Sequence, residues 1–158
     1  MAFRSQGEQL LSLVDEYRAG GGRWPATVKE MASWAISSDR WKPQRDSLVG
    51  QLAEQLSRAM REEYFVDEQG RTVRTKHAAR VMLHGEQMVL WADVRSADRG
   101  HMEIAFQQRR QQIVGDCRQL KRDVDSYNDN ANPGNPIQTV FNFTEDLAEL
   151  EAMDAAAA

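Results

Sequence analysis

The sequence predicts a mainly helical fold, with three N-terminal helices, a small β-hairpin, a long helix and an extended tail. Three observations predict it. Apolar residues recur at spacings of three and four along residues 5–18, 27–36, 44–64 and beyond Gly100, which is the period of a helix face. The β-formers Phe65-Val66 and Thr72-Val73 flank Asp67-Glu68-Gln69-Gly70, the signature of a hairpin. The stretch from Asn128 to Pro136 is dense in Asn, Pro and Gly, residues that interrupt regular structure.

The first helix is expected over residues 5–18. Ser5 and Glu8 have the spacing of a capping box, Leu10, Leu11, Leu13, Val14 and Tyr17 form its apolar face, and Gly20-Gly21-Gly22 ends it. The second helix, 27–36, opens on a second capping box, Thr27 and Glu30, after Pro25. Its inward residues are Val28, Met31, Ala32, Ala35 and Ile36. Residues 37–43 form a turn, and Pro43 suits the first position of the next helix. The third helix, 44–64, has the clearest period, through Leu48, Val49, Leu52, Leu56, Ala59, Met60 and Tyr64. At 21 residues it would span about 31 Å.

The hairpin covers residues 65–74, with Gly70 supplying the positive φ of the turn. Residues 79–83 form a short strand or helix. From Glu86 to Asn128 the chain is expected to be mostly helical, with Gly100 as a break. After that break, Phe106, Ile113, Cys117, Leu120, Val124 and Tyr127 follow the four-three spacing of a coiled-coil seam, interrupted only by Arg110. Residues 131–136 act as a flexible linker. An extended apolar run, 137–143, and a short acidic helix, 145–153, follow, and residues 155–158 are expected to fray. The expected partition is 1–85, 86–130 and 131–158.

The chain has 158 residues, 41% hydrophobic and 28% charged, values of a water-soluble protein. No apolar run is long enough for a transmembrane helix. The opening residues lack the apolar stretch of a signal peptide, and the single cysteine, Cys117, has no internal disulfide partner. A cytoplasmic location without membrane contact is expected. The net charge is −4, unevenly spread. Residues 1–85 hold 13 Lys+Arg against 11 Asp+Glu, whereas residues 86–158 hold 7 against 13. Electrostatic attraction for phosphate must therefore come from the first half.

Over residues 5–83, the order of capped helix, turn, longer helix and basic hairpin resembles a winged helix-turn-helix domain. That resemblance implies duplex DNA binding, with the start of the third helix in the major groove. Gln44, Arg45, Ser47 and Gln51 would be the base-facing set, and Arg40 and Lys42 would contact phosphate. The hairpin adds Arg71, Arg74, Lys76, His77 and Arg80 with no acid between them, a wing that would lie along the backbone or enter a minor groove. The bland alternative is a solvated ribbon whose basic side chains deter aggregation. Trp41, beside Lys42, either stacks on nucleic acid or packs the turn onto the core.

The second half reads as an interaction device. The seam residues Phe106, Ile113, Leu120 and Val124 would join a second copy or another protein through residues 99–128. Ile137, Val140, Phe141 and Phe143, within residues 137–151, would cover this chain's own surface or dock on a partner. The acidic helix at the end could occupy the basic wing and inhibit it.

Motifs for chemistry are few. His77, His84 and His101 lack metal-ligand spacing, and no phosphate loop or nucleophile elbow appears. Asp93, Asp98, His101 and Glu103 are the one stretch suggesting a hydrolytic or metal site, and a surface charge pair explains them more simply. The reading is a non-enzymatic DNA-binding protein, a regulator or accessory factor, without cofactor or metal. The rival reading is a protein-binding scaffold or accessory subunit of a larger bacterial-type complex.

Overall fold

A computed structural model describes residues 6–42 and 47–157. The chain is mainly helical with two small antiparallel hairpins. The order is α1 (Gln6–Ala19), α2 (Val28–Ser37), α3 (Leu48–Arg61), β1 (Tyr64–Val66), β2 (Thr72–Arg74), β3 (Lys76–Leu83), β4 (Glu86–Asp93), α4 (Arg99–Asn130) and α5 (Thr144–Ala157). It divides into two compact units, one ending at Arg58 and the other beginning at Ala59.

In the first unit α1 packs on α2. The contact centres on Tyr17, buried, whose ring meets Trp34 edge-on at 5.6 Å between centroids. Ala35 is buried beside them. The glycine run behaves as expected: Gly21 takes φ +82°, and the Gly22 N–H closes the helix end on the Tyr17 carbonyl at 3.0 Å. The Thr27–Glu30 capping box is present in both directions, and its bond to the Thr27 N–H holds the Glu30 carboxyl below the usual carboxylate range.

Several residues assigned to the inner faces lie outside. Leu10, Leu11, Val28 and Ile36 are exposed, because the two helices meet along a strip only as wide as Tyr17, Trp34 and Ala35. α3 is amphipathic in sequence, yet it buries no side chain among the described residues. Leu48, Val49, Leu52 and Leu56 all face solvent. The helix ends at Arg61, and Tyr64 belongs to β1 instead. Ser5, Pro43 and Asp46 lie outside the described residues.

The second unit opens with the expected hairpin. β1 and β2 pair antiparallel, Phe65 opposite Val73. Gly70 takes φ +82° and donates its N–H to the Asp67 carbonyl at 2.9 Å. Asp67 organises the turn: Oδ1 accepts from the backbone of Gln69 and Arg71, and Oδ2 from Arg71 Nε at 2.7 Å. These bonds, the Arg71 backbone foremost, lower the Asp67 pKa.

The stretch expected to be helical from Glu86 is a strand as far as Asp93. β3 and β4 form a second, longer hairpin, Lys76 opposite Asp93 through Leu83 opposite Glu86. His84 at φ +50° and Gly85 at φ +80° make its two-residue turn, the geometry that suits the twist of paired strands. Glu, Gln, Met, Leu and Ala in β4 favour helices intrinsically, but ladder pairing overrides that weak preference. Thr75, nearly fully buried, joins the hairpins: its N–H donates to the Glu63 carbonyl and its carbonyl accepts from the Val94 N–H, both at 2.9 Å.

α4 is a single helix of 32 residues. Gly100 does not break it. The helix begins at its Asp98 cap, whose side chain accepts from the His101 N–H, so Gly100 falls in the first turn. The Asn-rich segment is also more ordered than the flexible linker expected. The Asn128 side-chain amide pairs with both backbone groups of Ile137, at 2.8 and 2.9 Å, and Asn132 bonds Asn128, Asn135 and Gly134. α5 continues helical to Ala157 and buries no side chain.

Candidate interaction surfaces

β3 packs against α4 in the second unit. Alternation along β3 turns His77 and Ala79 inward. Ala79 is fully buried, and Ala105 of α4 is nearly so. Small residues on both sides let strand and helix approach closely. One turn either way on α4, His101 and Gln108 reach the strand's backbone. His101 Nε2 bonds the His77 carbonyl at 3.0 Å. Gln108 presents a carboxamide to Arg80 as a strand would: Oε1 accepts from the Arg80 N–H at 2.7 Å, and Nε2 donates to the Arg80 carbonyl at 2.8 Å.

His77 Nε2 lies 2.9 Å from the Arg74 carbonyl. A carbonyl only accepts, so both His77 and His101 must carry their proton on Nε2. The His77 ring also meets Phe106 edge-on at 5.2 Å. Burial pushes the His77 pKa down, and nearby Arg109, Arg74 and His101 add to that, against the opposing pull of the Arg74 carbonyl bond. Gln108, Ala105 and His101 carry no motif in sequence. Their signal is the i, i+4, i+7 spacing of one helix face, which identifies a packed face but not its occupant.

The basic wing is less basic than its sequence. Arg71 pairs with Asp67 at 2.7 Å, and Lys76 pairs with Glu63. His77 is buried, so the ring expected to meet DNA packs against α4 instead. Arg74 is half-buried, and its Nε has no hydrogen-bond partner. Arg80 is exposed and forms no ion pair among the described residues. Folding brings acids to the cluster from residues before and within the hairpin, where the chain order hides them.

In the first unit Arg40 pairs with Glu16 at 2.8 Å and Lys42 with Asp39 at 2.9 Å. Ser47 Oγ accepts from Gln51 Nε2 at 2.9 Å. Gln44 and Arg45 lie outside the described residues. Trp41 is exposed.

The seam of α4 is open. Phe106 is 50% exposed, Ile113 51%, Leu120 49% and Tyr127 44%. Cys117 and Val124 are half-buried. At about 100° per residue, the seam lies roughly a quarter turn from the face that Ala105 buries against β3; Phe106 at its start meets His77 of β3 edge-on, while Ile113 and Leu120 beyond it are exposed. Ile137, Val140, Phe141 and Phe143 are also exposed; the two phenylalanine rings contact each other at 6.4 Å. α5 forms no ion pair with the hairpins among the described residues.

The four residues of the Asp93–Glu103 stretch do not converge. Asp93 binds Arg95, side chain and backbone, and the side-chain bonds above all hold its carboxyl far below the usual carboxylate range. Asp98 caps α4, His101 bonds the His77 carbonyl, and Glu103 pairs with Arg99. No group of three metal-ligating side chains gathers among the described residues. A shallow groove of about 730 Å³ runs along the first hairpin between Phe65, Val73, Arg71 and Arg95. Arg95 lies over the Phe65 ring at 4.8 Å. Among the described residues, no helix is long and apolar enough to cross a membrane. Comparison with protein-family models, with curated proteins and with solved structures gives no match.

Proposed function

We propose that this chain is a non-enzymatic protein-binding subunit, a scaffold or accessory component whose stable form is an assembly. The carrying observation is the imbalance between core and surface. Among the described residues, the buried apolar side chains are Tyr17, Ala35, Ala79 and Ala105, three of them alanines. Meanwhile α3, the α4 seam and the 137–143 tail expose leucine, valine, isoleucine and phenylalanine. Large apolar side chains exposed in rows along a helix face mark contact with another protein. A chain that buries so little apolar area alone gains little of the hydrophobic term that offsets conformational entropy.

DNA binding is the second reading, favoured by Arg80, Arg109 and Arg74, which carry no carboxylate partner among the described residues. One preparation separates the two. Titrating a random-sequence duplex into the purified chain between about 50 and 200 mM salt gives no steeply salt-dependent binding if the protein reading holds. Micromolar binding that collapses over that range, and is lost in an Arg74→Ala/Arg80→Ala variant, would make the DNA reading primary.

A further inference from the structure

We infer that the partner of the α4 seam is a second copy of this chain, packed parallel and in register. The inference rests on the protein-binding reading above and names the occupant of one face.

Spacing assigns the positions. Phe106, Ile113, Leu120 and Tyr127 occupy one core position of the heptad, and Arg110, Cys117 and Val124 the other. The flanking positions hold Arg109, Asp116 and Asp123 on one side and Gln107, Val114, Lys121 and Asn128 on the other. In a parallel, in-register pair, each flanking residue of the first set faces the residue five further on in the partner. Asp116 then faces Lys121 of the second copy, and the symmetry makes this pairing twice. Lys121 now bonds Asp125 of its own helix at 2.6 Å, with both side chains more than half exposed, so it is free to re-pair.

Two antiparallel registers overlap most of the seam. One sets Asp116 against Asp123 twice, and like charges disfavour it. The other sets Asp116 against its own copy but Arg109 against Asp123 twice, and the Cys117 contact is what separates it from the parallel pair. Arg110 is the one charged core residue, and facing Arg110 side chains weaken the pair. They also penalise slipped registers that would bury the charge against leucine or isoleucine, the role of a single polar core residue in coiled coils.

The geometry makes Cys117 a reporter. At a core position of a parallel pair the two Cys117 thiols face each other. In an antiparallel pair of the same seam Cys117 meets Ile113 or Leu120. The test uses the full chain, sedimentation velocity across concentration, and diamide as oxidant. Diamide takes two electrons and two protons from two thiols, forming one Sγ–Sγ bond. The expected result is a reversible oligomer that diamide converts within minutes to a covalent dimer, with both lost in Ile113→Glu/Leu120→Glu. Lys121→Asp should weaken association about five- to tenfold, and adding Asp116→Lys should restore it.

An oligomer that diamide does not cross-link overturns the parallel register. A monomer at 100-micromolar-order concentration overturns the inference outright. The protein-binding reading survives that result if the monomer binds a hydrophobic dye strongly and melts without cooperativity, and falls with it if the monomer melts sharply and leaves the dye dark.

Discussion

Replacing Gln108 by alanine removes a side chain that makes no chemistry and fills no core, yet the structure predicts a measurable loss. Both bonds to Arg80, at 2.7 and 2.8 Å, disappear together. Net, a hydrogen bond contributes about 0.5–1.5 kcal/mol. Arg80 is exposed and water replaces part of what is lost, so the pair sums to about 1–2 kcal/mol at the lower end of that range. For a unit of about 100 residues, each kcal/mol corresponds to about 4–8 °C in melting temperature. The assay is a thermal melt by circular dichroism, with hydrogen exchange at the Arg80 amide as the local readout. The amide should exchange faster in the variant, because its acceptor is gone. Gln108→Glu is the informative companion. At neutral pH its carboxylate still accepts from the Arg80 N–H, but its second oxygen opposes the Arg80 carbonyl. Protonation on acidification restores a donor, so the deficit should shrink toward the ordinary Glu pKa of about 4.3. A melting shift under about 1 °C with unchanged Arg80 exchange in Gln108→Ala would refute the view that this amide clamps β3 to α4.

Gly22→Ala should destabilise the first unit by about 1–3 kcal/mol, because the new Cβ would lie 2.5–2.7 Å from the Tyr17 ring, which is buried against Trp34; tryptophan fluorescence during urea unfolding reads it, and an unchanged midpoint counts against the packing. Gly85→Ala should cost about 1–2 kcal/mol through its positive φ alone, since a Cβ there meets nothing within 4 Å; a melting point within error of the parent would show that the turn adopts another geometry. His77 should make stability fall with acid. Its pKa is lowered on folding, so the unfolded chain takes up the proton first. The stability is fully present above about pH 6.5 and declines as pH drops below it, levelling off below the folded pKa. Urea midpoints between pH 7.5 and 5.5 should therefore fall more for the parent than for His77→Gln, and equal slopes would remove His77 as the cause.

Sequence by itself determined the local features. The Thr27–Glu30 box, the helix end at Gly20–Gly22 and the Gly70 turn each depend on residues within about one turn of one another. A cap or a positive φ is written in adjacent positions, and the structure places all three where the spacing puts them. The second hairpin was legible only in part. His84-Gly85 is a two-residue turn flanked by apolar residues, but β4 is composed of helix formers, and only its pairing with β3 makes it a strand. The wing shows the opposite failure. Arg71, Lys76 and His77 form one basic run along the chain, while in space Asp67 and Glu63 pair with two of them and α4 buries the third. Charge and burial are properties of neighbours in three dimensions, and those neighbours come from different elements. Tertiary structure also decided which apolar faces are covered. Periodicity marks Leu52 and Phe106 alike as apolar-face residues, yet both are exposed, and the α4 residue buried against β3 is Ala105, which only the placement of the strand reveals.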